Sequence, residues 1–194
     1  MGFVVIDGLD ASGKSTQANK LANLFTSEGK TVCLRVHPSE DNFFGAKAKL
    51  FLYSEGKSAH FAASLFYMLD VIRSIVLFSW RKFEVIIFVR YLMGTAYLPQ
   101  PLHKVAYCFF AIVVPKSDNM FFLDVTPEEA YWRIRQNRSD QEMFEDIDDL
   151  RKVRAKALSL TAMGKWKIVN ADKPADQVSL EIRKQISSIK SNRK

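Results

Sequence analysis

Cysteine is scarce. Cys33 and Cys108 are the only two in 194 residues, too few and too unpatterned for a disulfide framework or a zinc site. They read as reduced thiols of a cytoplasmic protein. Long apolar runs are also missing. The longest, Val105–Val114, falls well short of the roughly 20 residues a membrane span needs, so it reads as a buried helix or strand and no membrane partner is expected. The first apolar segment, Phe3–Ile6, is too short for a secretory signal and runs straight into a glycine loop. Histidine is rare: His37, His60 and His103 share no spacing and stand near no cysteine pair, so all three read as non-catalytic. There is no internal repeat, no low-complexity block and no Asn-Lys-x-Asp guanine signature, which disfavours a GTP switch.

The chain carries a net charge of +7. Its basic residues are scattered, except for Arg133, Arg135 and Arg138 and the tail Lys190–Lys194. No basic run is interleaved with aromatics, as a nucleic-acid platform requires. A site for polyanionic small molecules plus an ordinary basic tail accounts for the charge better, and no nucleic-acid partner is expected.

Short apolar runs alternate with longer helical segments. Phe3–Asp7, Thr31–Val36, Glu84–Val89, Met120–Asp124 and Trp166–Asn170 read as strands buried on both faces, because each is nearly continuous rather than alternating. Helices are expected at Lys14–Thr26, Gly45–Leu52, Lys57–Trp80, Leu102–Val113, Pro127–Gln136 and Phe144–Met163, with a last one from Pro174 to about Ile189. The alternation predicts an α/β fold of three layers, with helices on both faces of a five-stranded parallel sheet. One domain is expected, residues 1–194, carrying a small lid at 137–146, where the composition is polar and loose.

The strongest motif is Gly8-Leu9-Asp10-Ala11-Ser12-Gly13-Lys14-Ser15, which fits G-x-x-x-x-G-K-[ST] between a strand and a helix. Its glycines let successive backbone N–H groups turn inward onto phosphate oxygens, and the following helix adds its positive end. Residues 8–16, through Thr16, are therefore the candidate nucleotide cradle. Lys14 would bridge the β- and γ-phosphates of ATP, and the Ser15 hydroxyl would ligate Mg²⁺. The motif leaves the reaction open.

The extended loop Asp7-Gly-Leu-Asp-Ala-Ser-Gly-Lys-Ser-Thr-Gln17 resembles the opening of thymidylate kinases. Further blocks follow in that family's order. These are Arg35–Pro38 with Gly45, Arg90-Tyr91 with Ala96-Tyr97, Phe122–Ala130 with Arg133, and Val153-Arg154 with Trp166–Asp172. The likeness implies a P-loop NTPase fold, transfer of the ATP γ-phosphate to dTMP, and a homodimer packed through long helices, with Lys57–Trp80 a candidate. It also implies that Asp10 contacts the acceptor sugar and that the catalytic arginine sits in the lid, since Ala11 stands where one class carries an arginine.

The departures crowd around the acceptor. The family's Asp before Arg-Tyr is Val89, its Ser after that motif is Gly94, and its Gln after Ala-Tyr is Leu98. The Arg-x-Pro spacing is stretched by one residue to Arg35-Val-His-Pro38, and Phe66 is followed four residues on by Asp70 where an arginine is expected. A P-loop kinase of another nucleoside or small acceptor, or a nucleotide-binding relative with weakened catalysis, therefore stays open. Phosphoryl transfer needs alignment and charge neutralisation, tasks that suit arginine's planar fork. Arg90 is the candidate grip on the acceptor phosphate, and Arg133 and Arg138 are candidates for the transferring phosphate, while Arg135 reads as a solvated helix face. Phe66 and Tyr97 can each stack on a base or sit in the core. Arg73 is a weaker candidate for reading the base, Pro38 lies over the acceptor, and Asp124 reads as a cap before Pro127 rather than a metal carboxylate.

Overall fold

A computed structural model describes residues 2–54, 57–78, 83–137 and 146–191. Among them are five strands: β1 (Gly2–Gly8), β2 (Val32–Val36), β3 (Val85–Val89), β4 (Asn119–Asp124) and β5 (Trp166–Asn170). Seven α-helices alternate with them: α1 (Lys14–Ser27), α2 (Phe43–Leu52), α3 (Lys57–Phe78), α4 (Leu102–Val113), α5 (Pro127–Asn137), α6 (Ile147–Thr161) and α7 (Ala175–Ser191). A 3-10 turn spans Met93–Tyr97. The sheet is all parallel in the order β2-β3-β1-β4-β5, the predicted architecture.

The two central strands explain the apolar runs. Val4, Val5 and Ile6 of β1 and all of β3 are buried, because helices cover both faces. The register pairs Ile6 with Val89, Val36 with Val89 and Gly8 with Leu123. The carboxyl ends of four strands therefore share one sheet edge, the place where open α/β sheets bind ligands.

Helix α3 is apolar on nearly every side. Its stretch Phe61–Phe78 has a mean hydropathy of 1.8 and the length of a membrane span, and 33% of it is buried. Its inner face carries Met68 and Val71 into the core, together with the buried polar residues Asp70 and Ser74, while Phe61, Leu65, Val76 and Leu77 are exposed.

Candidate active site

The phosphate loop joins β1 to α1. Gly13, the residue before the helix, has φ +85°, a left-handed turn that glycine makes without steric cost. Ala11 also turns left-handed, at φ +56°. Ser12 Oγ is buried with no partner among the described residues. Lys14 Nζ donates to the carbonyl of Gly8 at 3.0 Å and to that of Leu9. Burial, with Arg90 adding to it, lowers the Lys14 pKa to about 8 against the opposing pull of Asp10 and Asp7. A cavity of about 500 Å³ opens over this loop, lined by residues 10–17 and by Arg90, Arg133, Lys173 and Ala175.

Asp10 is the hub of the site. Its carboxylate accepts from Arg90 Nη2 and from the Tyr97 hydroxyl at 2.9 Å, and lies 3.7 Å from Lys14 Nζ. Burial pushes its pKa up, but Arg90 and Lys14 outweigh that and hold it below the usual carboxylate range. Arg90 projects from the end of β3 with φ +60°. Asp7, one step before the loop, has a different task. Its two oxygens accept from the backbone N–H groups of Gly8 at 3.0 Å, Tyr91 at 2.8 Å and Met93 at 3.0 Å. It thereby braces the chain leaving β3 against the end of β1.

A second cavity, of about 340 Å³, lies on the other side of Asp10 and Arg90, and those two residues line both. Its walls include Val36, Pro38, Leu52, Tyr53, Ser64, Tyr67, Gly94 and Tyr97. The loop bearing Pro38 is fastened to α3 through Asp70, whose carboxylate accepts from the Ser39 amide at 2.7 Å, the Ser39 hydroxyl at 2.6 Å and Asn42 Nδ2 at 2.7 Å. Asn42 in turn caps α2 by accepting from Phe44 N at 2.9 Å and Gly45 N at 3.2 Å.

Of the residues expected at the acceptor, Asp10, Pro38, Arg90 and Tyr97 line this cavity. Phe66 and Arg73 do not. Phe66 is turned toward α2, where its ring stacks on Phe51 with centroids 5.7 Å apart. Tyr67, one residue along and so rotated by about 100° around the helix, takes the cavity wall. No sequence signal separated the two, since aromatics flank each other on a helix apolar all round. Asp70, an anomaly in the sequence, is a loop anchor that sequence reasoning missed because its partners lie some thirty residues away.

Arg133 on α5 reaches the phosphate loop. It donates to Ala11 O at 3.3 Å, to Ala171 O at 3.0 Å and to Glu129 Oε1 at 2.8 Å. Arg138 and residues 138–145 of the expected lid lie outside the described residues. Arg135 is exposed and packs on Tyr131, as a helix-face charge does. Asp124 differs from its expected role. It forms a two-point pair with Arg154, at 2.7 Å and 2.8 Å, and Asp172 instead receives Thr126 N at 2.9 Å before Pro127.

Two cavities that meet at a carboxylate and an arginine, with the loop lysine beside them, can align an anionic donor with an anionic acceptor. A sequence model described as thymidylate kinase matches residues 6–182. A probable thymidylate kinase of Archaeoglobus fulgidus is 30% identical, over 96% of this chain and 95% of that protein. The thymidylate kinase of Plasmodium falciparum is 26% identical, over 97% and 90%. Among solved structures, the thymidylate kinase of Candida albicans superposes with a TM-score of 0.75 at 21% identity, covering 97% of this chain and 92% of that one, a likeness of fold. With the family's sequence model matching residues 6–182 and the fold shared over 97% of the chain, this protein belongs to the thymidylate kinase family.

Proposed function

We propose that the chain transfers the γ-phosphoryl group of ATP to dTMP, giving ADP and dTDP. The observation that carries this reading is the shared wall between the two cavities. Asp10 and Arg90 border both, so a donor triphosphate over the loop and an acceptor monophosphate beyond it converge on one guanidinium.

In this reading the backbone of residues 8–13 and Thr16 cradle the donor phosphates, and Lys14 takes the β- and γ-oxygens. Ser15 lines the donor cavity with an exposed side chain. A single hydroxyl fits Mg²⁺, which keeps several waters and takes its other ligands from the nucleotide. When bound, the ion neutralises phosphate charge. Arg90 grips the acceptor phosphate, Asp10 and Tyr97 hold the sugar side, and Arg133 stabilises charge on the transferring group. Its anchorage on Ala11 places it at the loop. The protein acts in the cytoplasm as a homodimer through the outer face of α3, where Phe61, Leu65, Val76 and Leu77 are exposed. Sedimentation velocity of the wild type and of a Phe61→Glu/Leu65→Glu variant checks the dimer; a wild-type monomer overturns it.

The deciding experiment is a coupled assay of ADP release with ATP and Mg²⁺ against a panel of nucleoside monophosphates and nucleosides. dTMP is expected to be the preferred acceptor. Preference for AMP or GMP, or reaction with unphosphorylated nucleosides alone, overturns the dTMP reading.

A further inference from the structure

His37 lies in the stretched segment Arg35-Val-His-Pro38. It follows the last residue of β2, is fully buried at 0% exposure, and stands edge-on to Phe88 with centroids 5.1 Å apart. It lines neither cavity. It does touch Arg90, at both ends of that residue.

The His37 amide donates to Val89 O at 3.1 Å. Its ring Nδ1 lies 3.1 Å from Arg90 O and 3.3 Å from Val89 O. Both neighbours are carbonyl oxygens, which only accept, so the hydrogen of the neutral ring must sit on Nδ1. The other nitrogen, Nε2, is buried without a partner among the described residues and is the bare one. Burial keeps the ring uncharged, lowering its pKa to about 4, with Arg35 pushing the same way against Asp70 and the two carbonyls. In return, His37 O accepts from Arg90 Nη1 at 3.5 Å.

Arg90 needs such a hold. Its φ of +60° is a left-handed conformation that residues with a Cβ keep only when their surroundings enforce it. That turn swings the arginine off the end of β3 toward Asp10. Resemblance to the family places a carboxylate at position 89, beside the arginine, and Val89 has none. Asp7 is turned to the backbone instead, accepting from the N–H groups of Gly8, Tyr91 and Met93. Asp10 pulls the guanidinium from the front. Among the described residues, His37 alone bears on both the Arg90 carbonyl and its guanidinium from behind.

We infer that His37 is a positioning residue: its Nδ1–H and carbonyl oxygen clamp Arg90 in the left-handed turn and aim the guanidinium at the acceptor phosphate. This rests on the reading of Arg90 as the phosphate grip.

The test compares the wild type with His37→Asn, whose amide Nδ2 keeps a donor near the Nδ1 position, and His37→Phe, which keeps the ring and loses the donor. Calorimetry gives affinities for ATP, for the best monophosphate of the panel and for its unphosphorylated nucleoside. His37→Phe should weaken the monophosphate by about tenfold or more while nucleoside and ATP stay within about twofold, and His37→Asn should recover most of the loss. Simple destabilisation lowers the fraction of active protein, not this ratio. The wild type alone supplies a second check: ¹⁵N shifts of the His37 ring should show Nδ1 protonated and Nε2 bare. An unchanged monophosphate-to-nucleoside ratio in folded His37→Phe, equal losses in both variants, or an Nε2–H tautomer overturns the inference. A wild type that binds no monophosphate better than its nucleoside removes the role of Arg90 as well.

Discussion

The carboxylate of Asp70, in the middle of α3, receives both the amide and the hydroxyl of Ser39, at 2.7 Å and 2.6 Å, and so ties the loop over the acceptor cavity to the longest helix. Asn42 adds a third donor at 2.7 Å. Asp70 is fully buried. Asp70→Ala leaves the Ser39 amide and hydroxyl without this acceptor, while Asn42 Nδ2 keeps Asp41 Oδ1 at 3.1 Å, and should cost about 2–4 kcal/mol of stability. Below the new melting point the acceptor KM should rise while ATP affinity holds, because the phosphate loop is elsewhere. Urea unfolding and steady-state kinetics measure both, and a variant with wild-type stability removes the anchor argument.

The sheet and the phosphate loop were legible in the sequence for a physical reason. Strands such as Val85–Val89 are buried on both faces and so read as continuous apolar runs, and the loop needs glycines and a lysine at set spacing. The acceptor side was less legible. Choosing Tyr67 over Phe66 requires the rotational phase of a helix apolar on nearly every side, where periodicity carries little information. The partners of Asp70 and of Arg133 come from distant loops, Ser39 and Ala171, and no local pattern announces a contact across that span. His37 looked inert because it reaches backbone carbonyls, whose placement only the fold determines.

Gly94 and Tyr67 form a matched pair. A Cβ at position 94 would lie 2.3 Å from Tyr67 Cε1, well inside van der Waals contact, and the ring is pinned by its hydroxyl bond to Tyr91 O at 3.2 Å. Gly94→Ser, the change toward the family pattern, should therefore displace the ring from the acceptor cavity and raise the acceptor KM by about tenfold. Tyr67→Leu should relieve the clash, so a double-mutant cycle is expected to give a coupling of about 1–2 kcal/mol. Additive effects would mean that the ring moves aside freely.

Lys14→Ala should lower turnover by about a hundredfold or more, on the order of the loss seen when one preorganised charge is removed from a transition state. The fold should survive, since Asp10 keeps Arg90 and Tyr97. Circular dichroism and the coupled assay check the two halves, and wild-type turnover in this variant would remove the basis of the kinase reading.

The pH dependence of Lys14 follows from its burial. Its pKa is lowered from 10.5 to about 8, chiefly by burial, with Arg90 adding to the effect. Between pH 8 and 10.5 the folded protein then holds a neutral Lys14 while the unfolded chain holds a charged one. Unfolding takes up a proton across that window, so the lysine's contribution to stability rises with pH there and is lost as pH falls through about 8. Activity runs the opposite way. The free enzyme needs the charged lysine to capture the donor phosphates, so kcat/KM for ATP should fall as pH rises through about 8. Bound phosphate favours the charged form, so kcat itself should bend only at higher pH. Lys14→Arg keeps a cation whose pKa lies beyond the range, and its kcat/KM profile should lose the bend even where its absolute activity is lower. A wild-type kcat/KM profile flat to pH 10, or a bend near 8 that persists in Lys14→Arg, would assign the titration to another group.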